Sequence, residues 1–288
     1  MPEKTRRPDV RHVLKELAFA TALGCGLVQG RDALRRLRRQ CRGVILTYHR
    51  IGEPDRMTRS ADAFQADLAY LRERFVCVTL SELVARMDGD EPWARPLAAI
   101  TFDDGYRDNY TRAVPLLRAA GVPATFFVST GFVGADLDFP HDLGDGECAG
   151  PAPRFAKLTW EDLREMQADG FEIGSHTVGH VDLGACDALR VRTELVESLA
   201  CLNEQLGSRP RALAYPWGRR RNLPANPSQA VRDAGYYAAV TTSVGDIVPG
   251  LDRYVLPRID VGNGAISRRG FRARVSRLPR VGASDGSR

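Results

Sequence analysis

Two short strings in the sequence contain side chains that together could bind a metal and take up a proton. Asp103 and Asp104 lie in the string Thr-Phe-Asp-Asp-Gly, and His176 and His180 lie in the string Ser-His-Thr-Val-Gly-His. Two imidazoles and one carboxylate can hold a divalent metal through three ligands, which leaves a fourth coordination position open for water. The second carboxylate then remains free to act as a base. This combination predicts a metal-dependent hydrolase.

The residues around each string indicate how it is positioned. The apolar run at 96–102 is typical of a buried parallel strand, and the carboxyl ends of such strands carry the functional site in α/β folds. Neighbours in a strand point to opposite faces, so Asp103 and Asp104 can converge only if the strand breaks there, which Gly105 favours. A second strand-like run at 170–174 leads to the histidine pair. The spacing of these histidines permits chelation from either a helical turn or a loop.

Taken singly, each string has an ordinary structural interpretation. Asp-Asp-Gly is a frequent turn sequence, and two histidines four residues apart are often a solvated helix face or a packed pair. The functional interpretation is favoured because both strings follow strand-like runs and occur together in this order.

At these residues the chain resembles the polysaccharide deacetylases of carbohydrate esterase family 4, over about residues 43–261. The string Ala-Tyr-Pro-Trp-Gly at 214–218 is similar to the third motif of that family. Three further strings support the resemblance: Tyr-His-Arg-Ile at 48–51, Ala-Thr-Phe-Phe-Val at 124–128 and Leu-Pro-Arg-Ile at 256–259. The motif order is closest to that of the poly-N-acetylglucosamine deacetylases.

The resemblance implies a role for each of these residues. Asp104, His176 and His180 match the metal ligands, with Zn²⁺ as the expected metal and Co²⁺ or Ni²⁺ as substitutes. Asp103 matches the general base that deprotonates the attacking water. A backbone N–H around Trp217 matches the donor to the oxyanion.

Two aromatic residues of the third motif have a further possible role in substrate binding. Tyr215 and Trp217 could stack on a sugar face, and packing beside the mouth of the barrel is the alternative.

The chain departs from the family pattern at two points. Many members use a late histidine to protonate the leaving amine, but no histidine follows His180 here. Relatives of the poly-N-acetylglucosamine type have a histidine on the first strand, so we predict that His49 is the acid, with a core histidine as the alternative. In the third motif Ala214 replaces the usual arginine. Arg258 is our candidate for orienting Asp103, and a purely structural ion pair is the alternative.

The coarse pattern of the chain alternates strands with helices, which predicts an α/β fold with parallel strands. The predicted strands lie near 44–48, 97–102, 124–128, 171–174, 211–215 and 237–241, and the predicted helices near 62–74, 109–120, 159–169, 187–206 and 227–234. The resemblance implies a distorted, incomplete (β/α) barrel of about seven strands. The long connection at 129–157 is a candidate wall over a substrate groove. Within it, His141 could reach the metal, but we favour a solvated loop histidine.

Charge divides the chain into three segments. The chain has 288 residues, of which 43% are hydrophobic, so one large core is expected. Residues 1–42 contain eleven Lys/Arg against four Asp/Glu, a balance of +7, and residues 265–288 contain seven Arg against one Asp, a balance of +6. Because the total is +5, the predicted catalytic domain, 43–264, carries −8.

The two basic segments suggest contact with an anionic membrane surface, and solvated tails are the alternative. Nucleic acid is not an expected partner, because no interleaved aromatic pattern accompanies the charge. The apolar stretch Leu17–Val28 is too short to span a bilayer. We expect an interfacial helix on the cytoplasmic membrane face or a cytoplasmic protein. An exported lipoprotein cleaved before Cys25 is less favoured, because arginines directly follow the stretch and resist translocation.

The six cysteines include no Cys-x-x-Cys pair, so we expect buried or free thiols. Taken together, the sequence predicts an amidohydrolase that removes an N-acyl group from an amino sugar of a glycan or lipid-linked saccharide, and the resemblance implies that this group is acetyl. A deformylase acting on a lipid-carried sugar is one alternative. A catalytically inactive carbohydrate-binding protein on the same scaffold is the other.

Overall fold

The computed structural model describes residues 42–89, 93–143, 153–207 and 212–276. The strands are β1 Gly43–Tyr48, β2 Arg50–Ile51, β3 Thr58–Arg59, β4 Val76–Val78, β5 Leu97–Phe102, β6 Thr125–Val128, β7 Glu172–Ser175, β8 Ala212–Ala214, β9 Ala238–Val240 and β10 Ile259–Asp260. The α-helices are α1 Ala61–Arg74, α2 Leu80–Asp88, α3 Val114–Ala120, α4 Trp160–Ala168, α5 Ala188–Leu206, α6 Pro227–Asp233 and α7 Arg268–Ser276.

The main sheet is parallel and runs in the order β10-β1-β5-β6-β7-β8-β9. β4 pairs with the first half of β5, and β6 pairs with its second half on the same edge. The seven successive strands curl through 243° into an open half-barrel flanked by helices. The predicted distorted, incomplete (β/α) barrel is therefore confirmed.

The central strands are apolar on both faces because helices cover the outside and side chains fill the inside. All six residues of β1 and all six of β5 are buried. Such continuous apolar runs are expected where both faces of a parallel sheet are covered. A stack of rings joins three neighbouring strands, with centroids 5.5 Å apart for Tyr48 and Phe102 and 4.9 Å apart for Phe102 and Phe126. This core holds the carboxyl ends of the strands at fixed positions.

Local sequence signals set the ends of several helices. α1 begins after Ser60, whose side chain accepts a hydrogen bond from the backbone of Ala63, and α4 begins with a capping box between Thr159 and Asp162. The predicted helix at 109–120 begins with a π-helical turn, Asn109–Ala113. Several elements were not predicted, and among them β4 and α2 follow each other between 76 and 88.

The predicted boundary at residue 264 is wrong, because the basic segment after it includes α7. Phe271 of this helix is buried and lies edge-to-face against Tyr70 of α1, with ring centroids 6.0 Å apart. Arg42 is also part of the folded body: its guanidinium contacts Asp246 at 2.8 Å and the carbonyl of Val275 at 2.8 Å. The folded domain therefore extends at least from Arg42 to the end of α7.

Several predictions fall outside the described residues. These are the interfacial helix at Leu17–Val28, the lipoprotein cleavage site before Cys25 and the end of the basic C-terminal segment. In the part of the chain that the structure describes, no helix is both long enough and apolar enough to cross a membrane. Cys77, Cys186 and Cys201 are free thiols, as predicted for them.

Candidate active site

The two aspartates follow β5 at the point where the strand breaks. Asp103 still follows the sheet, since its backbone N–H donates to the carbonyl of Tyr48 at 3.0 Å. Asp104 then adopts a left-handed conformation, with φ of +73°, and Gly105 has φ of +83°. A Cβ at Gly105 would lie 3.0 Å from the Val128 side chain, so both the positive φ and the tight space favour glycine. The predicted break is confirmed, and it turns both carboxylates into the barrel mouth.

Asp104, His176 and His180 converge as a buried group whose ligand atoms all lie within 4.8 Å of one another. The Nε2 atoms of His176 and His180 lie 3.3 Å and 3.2 Å from Asp104 Oδ1. The histidines occupy the loop after β7, and not a helix. Burial would raise the pKa of Asp104, but the surrounding histidines hold it well below its usual value.

Hydrogen bonds leave this group ready to bind a cation. His176 Nδ1 donates to the carbonyl of Ala214 at 2.7 Å, which directs the Nε2 lone pair toward Asp104. Asp104 Oδ2 and His180 Nδ1 are buried without a hydrogen-bond partner in the described structure. Since buried polar atoms normally have partners, these orphaned atoms and the two-imidazole, one-carboxylate donor set fit a divalent metal.

The loop between the two histidines is strained and is held by a residue that the sequence did not single out. Thr177 and His180 have φ of +67° and +51°. The buried carboxylate of Glu194, on α5, accepts hydrogen bonds of 2.8 Å from the backbone N–H groups of both Val178 and Gly179. Strain of this kind persists only where the surroundings fix the backbone, and Glu194 supplies that fixation.

Arg258 and Asp103 form a buried, two-pronged ion pair. Two guanidinium nitrogens donate to the two carboxylate oxygens, each at 2.7 Å. The same guanidinium also donates to Thr101 Oγ1 at 3.1 Å and to the carbonyl of Thr241 at 2.9 Å. Burial would raise the pKa of Asp103, but Arg258, together with His176 and His49, more than offsets this and lowers it. Asp103 is thus an ionised carboxylate with a fixed plane beside the candidate metal site.

His49 follows β1 just as Asp103 follows β5, and the register pairs Tyr48 with Phe102 directly before them. Its imidazole is half-buried and has no hydrogen-bond partner among the described residues, while its field contributes to lowering the pKa of Asp103. This environment differs from that of a core histidine bonded to a backbone group. The acid role of His49 remains a prediction.

The two aromatic residues of the third motif have different environments. Tyr215 is completely buried, and its hydroxyl donates to the carbonyls of Tyr254 at 3.0 Å and Pro227 at 3.3 Å. The prediction that Tyr215 stacks on a sugar is therefore wrong, because its ring faces the core. Trp217 is 43% exposed and its ring lies 4.7 Å from that of His180.

The backbone at Trp217, the predicted oxyanion donor, has an unusual conformation. Its φ is +55°, a left-handed value that is rare for a bulky residue. No described residue accepts a hydrogen bond from its N–H. The carbonyl of Trp217 is fixed by the Thr242 hydroxyl at 2.8 Å.

His141 lies at the site and not in solvent, so the favoured interpretation of this residue is wrong. Its Nε2 is 3.4 Å from Asp104 Oδ2, and its ring is stacked on Phe139 with centroids 5.1 Å apart. The hydroxyl of Tyr106 donates to Asp142 at 2.8 Å, so its oxygen can accept from His141 Nε2 at 3.1 Å. The contact joins residues far apart in sequence, so the sequence could offer His141 at the site only as an alternative.

A buried charge cluster holds the turn that carries His141. Arg50 donates to Asp142 at 3.0 Å, and its guanidinium covers the ring of Phe155 at 3.7 Å. The amine of Lys157 lies 4.0 Å from the same carboxylate. The described part of the 129–157 connection is thus fixed beside the candidate metal site, and its role as a wall over a substrate groove remains a prediction.

Comparisons with known proteins agree with this geometry. Residues 91–239 match the family model described as polysaccharide deacetylase. YxkH of Bacillus subtilis (strain 168) is 27% identical over 221 residues, covering 76% of this chain and 71% of that protein. Poly-beta-1,6-N-acetyl-D-glucosamine N-deacetylase of Staphylococcus epidermidis is 28% identical over 175 residues, covering 58% of this chain and 55% of that protein. The chain therefore spans about half the length of the staphylococcal enzyme.

A solved structure shows the same architecture. The Streptococcus pyogenes deacetylase PplD in complex with acetate is 25% identical and superposes with a TM-score of 0.67, covering 81% of this chain and 98% of that one.

Proposed function

This chain belongs to the polysaccharide deacetylase family, and we propose that it hydrolyses the N-acetyl group of an amino sugar in a glycan, using one divalent metal. The observation that carries the proposal is the convergence of Asp104, His176 and His180 beside Asp103, a buried carboxylate whose plane is held by Arg258. Hydrolysis of an amide needs an electrophilic activator and a separate base, and this arrangement supplies ligands for the first and a side chain for the second.

We propose that the metal is zinc, held by Asp104 and by the Nε2 atoms of His176 and His180. A divalent ion bound there would act as a Lewis acid that lowers the pKa of water and polarises the acetyl carbonyl. Two imidazoles and one carboxylate suit zinc, and cobalt or nickel are accepted by the same ligand types.

The remaining groups of the site divide the proton transfers. Asp103 accepts a proton from the water that attacks the acetyl carbon. The Trp217 backbone N–H donates to the oxygen on which negative charge develops. His49 donates a proton to the sugar nitrogen as the C–N bond breaks, so that acetate and a free amine leave. Asp103 is suited to the base role because its low pKa keeps it ionised.

The substrate proposal rests on the site mouth and on the relatives. Trp217 offers an exposed indole next to the metal-site histidine, and aromatic faces stack on the apolar faces of sugars. The staphylococcal relative is named for N-deacetylation of a β-1,6-linked N-acetylglucosamine polymer. An N-acetylglucosamine unit within a chain is therefore the proposed substrate unit.

Release of acetate is the direct test. The purified protein is incubated with a panel of N-acetylated saccharides, with and without a chelator, and acetate and formate are both measured. Acetate release that stops with chelator and returns with zinc supports the proposal. Formate release from N-formylated sugars alone would favour a deformylase, and tight saccharide binding without any product would favour an inactive binding protein.

A further inference from the structure

Three consecutive arginines, Arg219, Arg220 and Arg221, lie at the mouth of the candidate active site. All three are exposed, and none forms an ion pair with a described acidic residue. Arg219 lies two residues after the exposed Trp217 and directly precedes a 3-10 turn, Arg220–Asn222, which the other two arginines begin. We call this group the arginine turn. Its three positive charges lie within residues 43–264, whose net charge, with these arginines included, is −8.

The arginine turn is fixed against the loop that follows His180. Asn222 is buried, and its side-chain amide donates to Asp182 Oδ2 at 2.7 Å. The carbonyl of Arg221 packs so closely on Gly184 that any side chain there would collide with it. The turn is thus tied to the histidine loop on one side and to the Trp217 segment on the other.

This anchoring keeps the arginines within reach of a molecule bound at the active site. Four residues span at most about 14 Å, so Arg221 cannot lie farther than that from the Trp217 backbone. The Trp217 ring itself is 4.7 Å from the His180 ring. A saccharide stacked on Trp217 would therefore extend over or beside the arginine turn.

Exposed, unpaired guanidinium groups next to the ring of Trp217 favour a saccharide that carries an anionic group. Guanidinium binds carboxylate and phosphate oxygens in a two-pronged geometry and has no attraction for a neutral sugar beyond single hydrogen bonds. Among the described residues, Asp182 is the one acidic side chain bonded to this segment, and it already accepts hydrogen bonds from Asn222 and, at 3.0 Å, from the backbone N–H of Gly184. A net positive charge remains for a ligand.

From this geometry we propose that the physiological substrate is an anionic glycan, with a carboxylate or phosphate group close to the N-acetylated sugar that is hydrolysed. The inference rests on the proposed function for its reaction, but the anion contact itself does not. The arginine turn is then a specificity element: it does not touch the reacting atoms, and it decides which saccharide is retained at the site mouth.

The test compares matched neutral and anionic saccharides. Hyaluronan hexasaccharide, which carries carboxylates, is paired with penta-N-acetylchitopentaose, and N-acetylglucosamine 1-phosphate is paired with N-acetylglucosamine. The variant Arg219→Gln/Arg220→Gln/Arg221→Gln is compared with wild type, and Arg268→Gln/Arg269→Gln/Arg272→Gln removes the same charge from exposed positions of α7 as the control. The two pairs separate a carboxylate source from a phosphate source.

We expect wild type to favour the anionic member of at least one pair in kcat/KM. The arginine-turn variant should lose this preference by about tenfold, since three exposed ionic contacts of modest strength combine. The α7 control should keep it. Raising salt from about 50 mM to about 500 mM should weaken the preference of wild type and leave the variant unchanged. Equal anionic-to-neutral ratios in wild type and the arginine-turn variant would overturn the inference.

A binding measurement separates failure of this inference from failure of the proposed function. Titration calorimetry on Asp103→Asn, with and without the three arginine substitutions, gives Kd values without turnover. A Kd for the anionic saccharide that rises about tenfold on losing the arginines supports the inference even if no saccharide is deacetylated. Turnover of both saccharides with unchanged Kd leaves the proposed function standing and removes the inference. If the arginine substitutions abolish only sedimentation with phosphatidylglycerol vesicles, the turn is a membrane contact and the inference is wrong.

Discussion

Arg258 and Asp103 are 155 positions apart in the chain and meet through two parallel hydrogen bonds of 2.7 Å in the buried mouth of the barrel. The arginine directly precedes β10 and the aspartate directly follows β5, so the pair also links the strands on either side of β1. The pair fixes both the charge and the plane of the carboxylate next to the candidate metal site. We therefore expect this one ion pair to affect both the stability of the fold and the activity of the predicted base.

Replacing Arg258 by alanine should damage both properties. The change leaves Asp103 buried without its partner, and such breakage typically costs about 3–5 kcal/mol. We expect a loss of this size in the free energy of unfolding, measured by urea denaturation, together with a large fall in acetate release. Arg258→Lys keeps the positive charge but cannot form the two parallel hydrogen bonds to Asp103. It should therefore retain part of the stability and little of the activity.

The exposed pair of Arg86 and Glu82 on α2 provides the control. Arg86→Ala should change the free energy of unfolding by about 0.3–0.5 kcal/mol. If Arg258→Ala is as mild as this control, Arg258 does not determine the state of Asp103.

Much of this site could be predicted from the sequence, because its metal-ligating residues lie in short strings after apolar strands. Asp104, His176 and His180 need only the strand order to converge. The departures of this chain were harder to interpret: Ala214 leaves no arginine in the third motif, and only the fold brings Arg258 to Asp103. Contacts of that range depend on strand order and register, which no local pattern contains.

The metal site itself gives the second prediction. His176→Ala removes one of three ligands, so the purified variant should contain much less than one equivalent of zinc by elemental analysis. Wild type should contain about one equivalent after reconstitution, and His49→Ala should match it because His49 lies outside the ligand group. Full zinc content in His176→Ala would exclude this site.

His141 should support the metal without being one of its three ligands. Its Nε2 faces the second oxygen of Asp104, and loss of such an outer partner typically weakens metal binding by about 10–100-fold. Competition with a fluorescent zinc chelator should therefore give a weaker Kd for His141→Ala, with stoichiometry near one at saturating zinc. Unchanged affinity would show that the wall carrying His141 acts only on the substrate.

The parts of the fold that sequence reasoning missed share a physical cause. β4 is three residues long and pairs with only half of β5, so too few residues alternate to give a signal. In α7, Phe271 and Val275 supply the buried face, and the arginines on the other side made the segment resemble a solvated tail. In both cases the element forms because a few apolar residues are buried. Their burial depends on neighbours that are distant in sequence.

We propose that the basic segment before the folded domain attaches the protein to the cytoplasmic membrane face. The full chain should sediment with vesicles containing phosphatidylglycerol, and salt should weaken the attachment. Because Arg42 is bonded to Asp246, the matched truncation should begin at Cys41, one residue before Arg42. It should remain folded and lose vesicle binding. Equal binding by both proteins would refute the attachment.

The last prediction separates the base from the acid. Asp103→Asn removes the carboxylate that accepts the proton of water, so hydrolysis should fall by about 10²–10⁴ for both an N-acetyl sugar and an aryl acetate. His49→Ala should reduce amide hydrolysis by a similar factor, because an amine leaves poorly unless it is protonated. It should have little effect on the aryl acetate, whose leaving group needs no proton. Steady-state kinetics on the two substrates measure both effects. If His49→Ala keeps normal amide hydrolysis while His141→Ala loses it selectively, the proton donor is His141.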